Sequence, residues 1–178
     1  MKIRQFLLPA LLISITAPAT ATELETGRMR LPSVELIDQS GQPQNLRDLV
    51  ARQPVVMTFA YTTCESICPL GNAVMAEIDA ATEAGVTLLT ITIDPATDTP
   101  ARMARAAAEF GASPRWLWLT GDPRDIRRVL DAVDAPAGPI ELHDPIFVVT
   151  DRDGRRFRRT TALPRAEEIL ALLDDAVR

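Results

Sequence analysis

From Val86 to Ile93 the chain is an almost unbroken apolar, β-branched run, and that run limits the folds open to it. A strand of this composition needs cover on both faces, which in practice means a parallel strand with helices on each side of the sheet. A second buried strand, Val55 to Ala60, precedes it. Between the two lies a helix-compatible stretch, expected over about 69–84 with Ala73, Val74, Ile78 and Ala81 inward. Gly85 is placed to end that helix as a C′ glycine.

The rest of the chain repeats the alternation. Asp94 to Pro100 reads as a loop whose Thr99 or Asp98 caps the next helix, with Pro100 in its first turn and an end near Phe110. Trp116 to Leu119 is a short strand, and Asp122 to Val133 a helix. Residues 135–139, rich in Pro and Gly, read as a flexible loop. Ile146 to Thr150 and Arg155 to Thr160 form a hairpin around Asp151-Arg152-Asp153-Gly154, and Pro164 to Val177 is a closing helix with Ile169, Leu170 and Leu173 inward. Ahead of the core, residues 34–46 read as a small hairpin with a turn at Gln39 to Gln42. Strands and helices in this order predict an α/β protein with a thioredoxin-like fold: a mixed central sheet flanked by helices, with an added N-terminal β-hairpin.

The first residues are not part of that fold. Lys2 and Arg4 precede a short apolar stretch, Phe6 to Ile15, and Ala19-Thr20-Ala21 follows as a small-residue cleavage pattern. The expected organisation is a signal peptide over 1–21 cut after Ala21, a linker over 22–32 and one domain over 33–178. The apolar stretch is shorter than the ~20 residues that span a bilayer, and Pro9 interrupts it. Export to a periplasm follows, where disulfides are permitted. The formal charge is −5 and becomes −7 once Lys2 and Arg4 leave. That balance argues against nucleic acid as the partner.

Both cysteines lie in one stretch, Tyr61-Thr62-Thr63-Cys64-Glu65-Ser66-Ile67-Cys68-Pro69. A strand leads into it and a helix leads out. A helix N-terminus favours thiolate over thiol, and two cysteines four apart share a face if they lie in one helical turn. The pair is therefore placed for a disulfide or for a common metal ion. Two small hydrophobic residues would also have this spacing, but the polar neighbours Thr62, Thr63, Glu65 and Ser66 argue for chemistry. His143, the sole histidine, ends the 135–139 loop region just before a strand, where this fold brings it beside the cysteine turn. Two thiolates and one imidazole suit copper, Cu(I) above all; zinc would need a fourth ligand from outside.

Tyr61-Thr62-Thr63-Cys64-x-x-x-Cys68-Pro69, then Asp94-Pro95 with Asp98-Thr99-Pro100, then His143 ahead of a strand and the Asp151 to Gly154 turn, resemble the Sco/SenC family. The resemblance runs from about residue 33 to the C-terminus. It implies a thioredoxin-like copper protein of the cell envelope. Members deliver copper to the dinuclear copper centre of cytochrome c oxidase, or reduce the cysteines of that centre. It also implies Cys64, Cys68 and His143 as the metal ligands. The chain departs from the family pattern at two positions. Glu65 replaces the proline common after the first cysteine, and Asp144 replaces the serine common after the histidine. Each adds an acid near the expected site, which would raise cysteine pKa values and favour a cation, and Asp144 is a candidate for a further oxygen ligand, with the part of Glu65 left open. A cleaved leader also departs from the many members that keep an anchor.

The expected function is that of a copper metallochaperone. The partner would be the copper-site subunit of cytochrome c oxidase or another periplasmic copper or thiol protein. The carrier would be monomeric and would meet the membrane only through its partner. The rival readings are a thiol–disulfide oxidoreductase, with Cys64 and Cys68 as the catalytic redox pair, and a redox or copper sensor. A peroxidase would want a proline upstream of the thiol where Met57 stands. The Asp94/Asp98 loop reads as capping and turn formation or as a face for a partner, and the arginine run 155–159 as a solvated surface.

Overall fold

The computed structural model describes residues 23–82, 85–135 and 138–177. The expected leader over 1–21, with its cut after Ala21, lies outside the described residues, as do 83–84 and 136–137. The strands are β1 (Leu24–Arg28), β2 (Glu35–Asp38), β3 (Pro43–Asn45), β4 (Val55–Ala60), β5 (Thr87–Thr92), β6 (Trp116–Thr120), β7 (Phe147–Thr150) and β8 (Arg156–Thr160). The helices are α1 (Leu46–Val50), α2 (Cys68–Ala81), α3 (Pro100–Glu109), α4 (Pro123–Ala132) and α5 (Ala166–Val177). One sheet has the order β1-β8-β7-β4-β5-β6-β2-β3.

The two apolar runs lie together at the centre, β4 parallel to β5 with Val55 opposite Thr87, and β5 parallel to β6. Every residue of β4 and β5 is buried. Alternate side chains feed two cores. On one face Met57, Phe59, Ile91 and Val148 meet α1 and α4. On the other, Val56, Leu88, Trp116, Trp118 and Phe147 meet α2, α3 and α5. Fully burying one such side chain stabilises by roughly 1.5–3 kcal/mol, so these two layers hold the sheet. Buried threonines bolt its strands: Val55 N–H donates to the Thr150 hydroxyl at 3.0 Å, and the Thr58 hydroxyl to the Ile146 carbonyl at 3.0 Å. The expected hairpin is present as β2–β3 and docks antiparallel on β6.

Three expectations need correction. The stretch read as a linker over 22–32 contains β1, which pairs antiparallel with β8 from Leu24 opposite Thr160 to Arg28 opposite Arg156. Gly27 makes that pairing possible, since a Cβ there would meet the Phe157 ring at 2.5 Å. Met29 and Leu31 then enter the core. Helix α2 ends at Ala81, with Thr82 extended behind it and its hydroxyl on the Ile78 carbonyl at 2.8 Å, so Gly85 is not its C′ residue. Its buried face is Cys68, Gly71, Asn72, Met75, Ile78 and Asp79, with Ala73 and Ala81 exposed. The polar Asp79 is buried because Arg115 and the Ser113 hydroxyl satisfy its carboxylate, at 3.0 and 2.7 Å.

This topology sets the position of the site. Strands β4, β5 and β6 all end at the same edge of the sheet, and antiparallel β7 begins there. The loops after β4 and β5 and the segment entering β7 therefore converge, as they do at the carboxyl ends of open α/β sheets.

Candidate functional site

The chain leaves β4 at Ala60 and turns at once, with Cys64 N–H donating to the Tyr61 carbonyl at 3.2 Å. Helix α2 then starts at Cys68 with Pro69 in its first turn. The residue before it, Ile67, has no side chain able to cap, which leaves first-turn N–H groups in need of an acceptor. The Cys64 sulfur fills part of that role: Cys68 N–H points at it from 3.3 Å, and the Ser66 hydroxyl lies 3.8 Å away. The structure thus brings Cys64 and Cys68 together, both as free thiols.

The two sulfurs differ sharply. Burial pushes the Cys64 thiol up, but hydrogen bonds from the Cys68 thiol, the Cys68 and Ser66 backbone and the Ser66 hydroxyl outweigh it, and the group titrates at about 7. Burial pushes Cys68 up to about 12, and the hydrogen bond to Cys64 and the negative charges of Cys64 and Asp98 add to this. One sulfur is half-exposed and close to thiolate at neutral pH; the other is buried and protonated. Burial raises Tyr61 to about 12 as well, followed by the charge of Cys64 and a hydrogen bond to it, so its phenol stays protonated against the Cys64 sulfur.

His143 reaches this edge from the other side. A single 3-10 turn, Ile140–Leu142, precedes it, and its N–H donates to the Ile140 carbonyl at 3.2 Å. The half-buried ring lies 2.7 Å through Nε2 from the carbonyl oxygen of Phe59, at the end of β4. A carbonyl only accepts, so Nε2 carries the proton and Nδ1 is left with a free lone pair. Burial holds the imidazole below its usual pKa, against the pull of the Phe59 hydrogen bond and the Asp144 charge, so the ring is neutral at pH 7. The charge of Glu141, two residues before it, acts on Tyr61, so the histidine segment and the cysteine turn are neighbours. The three side chains do not already form a ligand cage: among the described residues no three His, Cys, Asp or Glu side chains are placed to share an ion. Glu65 and Asp144 are exposed, and neither adds a carboxylate to such a group. The donor set still suits a soft cation in kind, with one sulfur near thiolate, a second sulfur beside it and a neutral imidazole whose free nitrogen is identified.

Of the two residues that the sequence offers as the cap of α3, Thr99 serves, its hydroxyl accepting from Arg102 N–H at 3.4 Å, and Asp98 has a role that sequence reasoning missed. Asp98 is buried and accepts from Thr62 N–H at 3.2 and 3.1 Å, from the Thr62 hydroxyl, and from the Thr92 hydroxyl at 2.6 Å. Helix-start residues such as Asp98-Thr99-Pro100 carry a strong capping signal that hides this contact.

The profile of the SCO1/SenC family matches residues 31–178. A SCO2-like protein of Rickettsia felis is 34% identical over 100 residues, covering 54% of this chain and 47% of that protein. The chain spans about half the length of the curated relatives it matches. Among solved structures, Bradyrhizobium japonicum ScoI with copper bound superposes with a TM-score of 0.65 at 28% identity, covering 85% of this chain and 98% of that one. A SCO1/SenC family lipoprotein from Bacillus anthracis gives 0.74 at 22% identity, covering 86% and 98%, and so shares the fold.

Proposed function

Because this chain belongs to the SCO1/SenC family, we propose that it is a copper-binding protein of the cell envelope that serves the assembly of cytochrome c oxidase. What supports this reading is the contact of two unlike thiols at the start of α2, with a neutral histidine on the segment that enters β7 at the same sheet edge. Cys64, Cys68 and His143 would hold one copper ion as cargo. Cys64 is ready to bind as thiolate at neutral pH. Cys68 is buried and protonated, so it must lose its proton as the ion enters. His143 is already uncharged and needs to lose nothing. Transfer to an acceptor would proceed by ligand exchange, starting at the more exposed Cys64. The protein would act in the periplasm as a monomer, after cleavage behind Ala21.

Anaerobic copper titration of the reduced protein, beside a His143→Ala variant, tests the reading. One equivalent bound, with a thiolate-to-Cu(II) charge-transfer band that weakens in the variant, is expected. Absence of binding would refute it.

The same asymmetry favours a second reading, thiol–disulfide exchange. The Cys64 thiolate would attack one sulfur of a partner disulfide and displace the other as thiolate. Cys68 would then attack Cys64 in the mixed disulfide, lose its proton and release the partner's second thiolate. The partner gains two electrons, and Cys64–Cys68 becomes a disulfide. Exchange that His143→Ala leaves unchanged, without copper binding, would select this reading over the first.

A further inference from the structure

Asp98 is 1% exposed, and among the described residues no cation is paired with it. A buried carboxylate without a counter-charge is costly unless hydrogen bonds satisfy it, and here three groups do. Two belong to Thr62 and one to Thr92. Capping does not account for the arrangement, since Thr99 caps α3. Thr62 is the second residue of the turn that Cys64 N–H closes onto the Tyr61 carbonyl. The direction in which that turn delivers Cys64 therefore depends on where Thr62 is held, and Asp98 holds it by both backbone and side chain. The other end of the clamp is Thr92, the last residue of β5, whose hydroxyl also accepts from Asp94 N–H at 2.9 Å.

We propose that Asp98 is a positioning residue for the cysteine turn: its carboxylate ties Thr62 to the end of β5 and so sets the Cys64 sulfur over the first turn of α2, where it meets Cys68. The role rests on the copper-site reading for its purpose, but the clamp itself acts on the metal-free turn. All three groups around the carboxylate donate. Asparagine in its place keeps one acceptor oxygen, loses the charge and turns its N–H₂ toward a group that now donates, so Asp98→Asn weakens the clamp at nearly constant volume.

The experiment compares the native protein with Asp98→Asn, Thr62→Val and Thr92→Val. Thr62→Val and Thr92→Val each remove one hydroxyl from the same carboxylate, one at each end of the clamp. Cu(I) affinity is read by competition with bicinchoninate, the Cu(II) site by its charge-transfer band, and the metal-free turn by the rate of iodoacetamide alkylation of Cys64. Asp98→Asn is expected to lower copper affinity by about tenfold or more and shift the band, as loss of an outer-shell partner does. Thr62→Val and Thr92→Val should each follow in the same direction and less far, because either one releases one end of the clamp. Alkylation at neutral pH should slow severalfold in Asp98→Asn, and less in Thr62→Val and Thr92→Val, because Cys68 N–H is no longer held on the Cys64 sulfur. Native affinity, band and alkylation in both Thr62→Val and Thr92→Val would overturn the proposal. If Asp98→Asn fails to fold, the threonine pair decides. If the native protein binds no copper, the copper reading fails, and the alkylation comparison still decides whether the clamp exists.

Discussion

His143 donates its Nε2 proton to the carbonyl oxygen of Phe59 across 2.7 Å, and this one bond decides which ring nitrogen can take a metal. Because Nε2 is tied to the end of β4, Nδ1 is the available donor. With a single histidine in the chain, the ring is directly observable by long-range ¹H–¹⁵N correlation. The metal-free protein should show the Nε2–H tautomer at pH 7. Cu(I) loading should move the Nδ1 resonance and leave Nε2 protonated. A shift confined to Nε2 would show that the ring turns before it binds.

Alkylation should separate the two cysteines by pH. Cys64 is lowered to about 7 and Cys68 raised to about 12. The thiolate is the nucleophile, so the rate at Cys64 should rise about tenfold per pH unit below 7 and level off above it. Iodoacetamide at pH 7 should then label Cys64 alone, and Cys64→Ser should leave almost no labelling at that pH. Preferential labelling of Cys68, read by peptide mass spectrometry, would reverse the roles assigned to the two sulfurs.

The central sheet is legible in the sequence because its strands are apolar on both faces and its helices carry Pro and Asp or Thr at their starts. The Cys64–Cys68 contact is legible too, since both cysteines stand at one strand-to-helix turn, and the order of elements places the segment of His143 at the same sheet edge. Strand β1 is not: Leu-Glu-Thr-Gly-Arg has no apolar alternation, and what orders it is the edge of β8 and the ion pair of Glu25 with Arg159. The buried face of α2 is misread for the opposite reason. Alanines look apolar wherever they lie, while Asn72 and Asp79 face inward, Asp79 on partners more than thirty residues away. The contact of Asp98 with Thr62 is hidden in the same way, because a long-range hydrogen bond leaves no local trace.

The hairpin that covers the β6 edge should weaken in acid through Asp38. Burial would raise this carboxyl, but hydrogen bonds from the Ser40 hydroxyl, Gln42 N–H, the Gln44 amide and Ser40 N–H hold it below its ordinary 3.8. A folded pKa below the unfolded one gives stability that is present above about pH 4–5 and lost as pH falls through the folded value. Asp38→Ala should therefore cost about 2 kcal/mol at pH 7. The gap from the native protein should narrow at pH 3. Urea unfolding at the two pH values checks this, and a gap that stays constant would contradict it.

Gly154→Ala should destabilise more than Gly41→Ala. Both glycines have positive φ, +61° and +83°. Only at Gly154 would a Cβ strike a neighbour, the Val50 Cγ1 at 2.6 Å and the Val50 carbonyl oxygen at 3.0 Å. Gly41→Ala should cost about 1 kcal/mol from backbone strain alone. At Gly154 the contact with α1 adds to that strain, for a total of about 2–3 kcal/mol. Equal urea midpoints for the two variants would show that the β7–β8 turn is free to move off α1.

X-ray absorption of the Cu(I)-loaded protein tests the central claim most directly. Two sulfur ligands and one nitrogen at a single copper, with the nitrogen lost in His143→Ala, is the result predicted for a site made by Cys64, Cys68 and His143. A sulfur-only first shell unchanged by that substitution would contradict it, and His143 would then be a structural brace on Phe59 and no ligand.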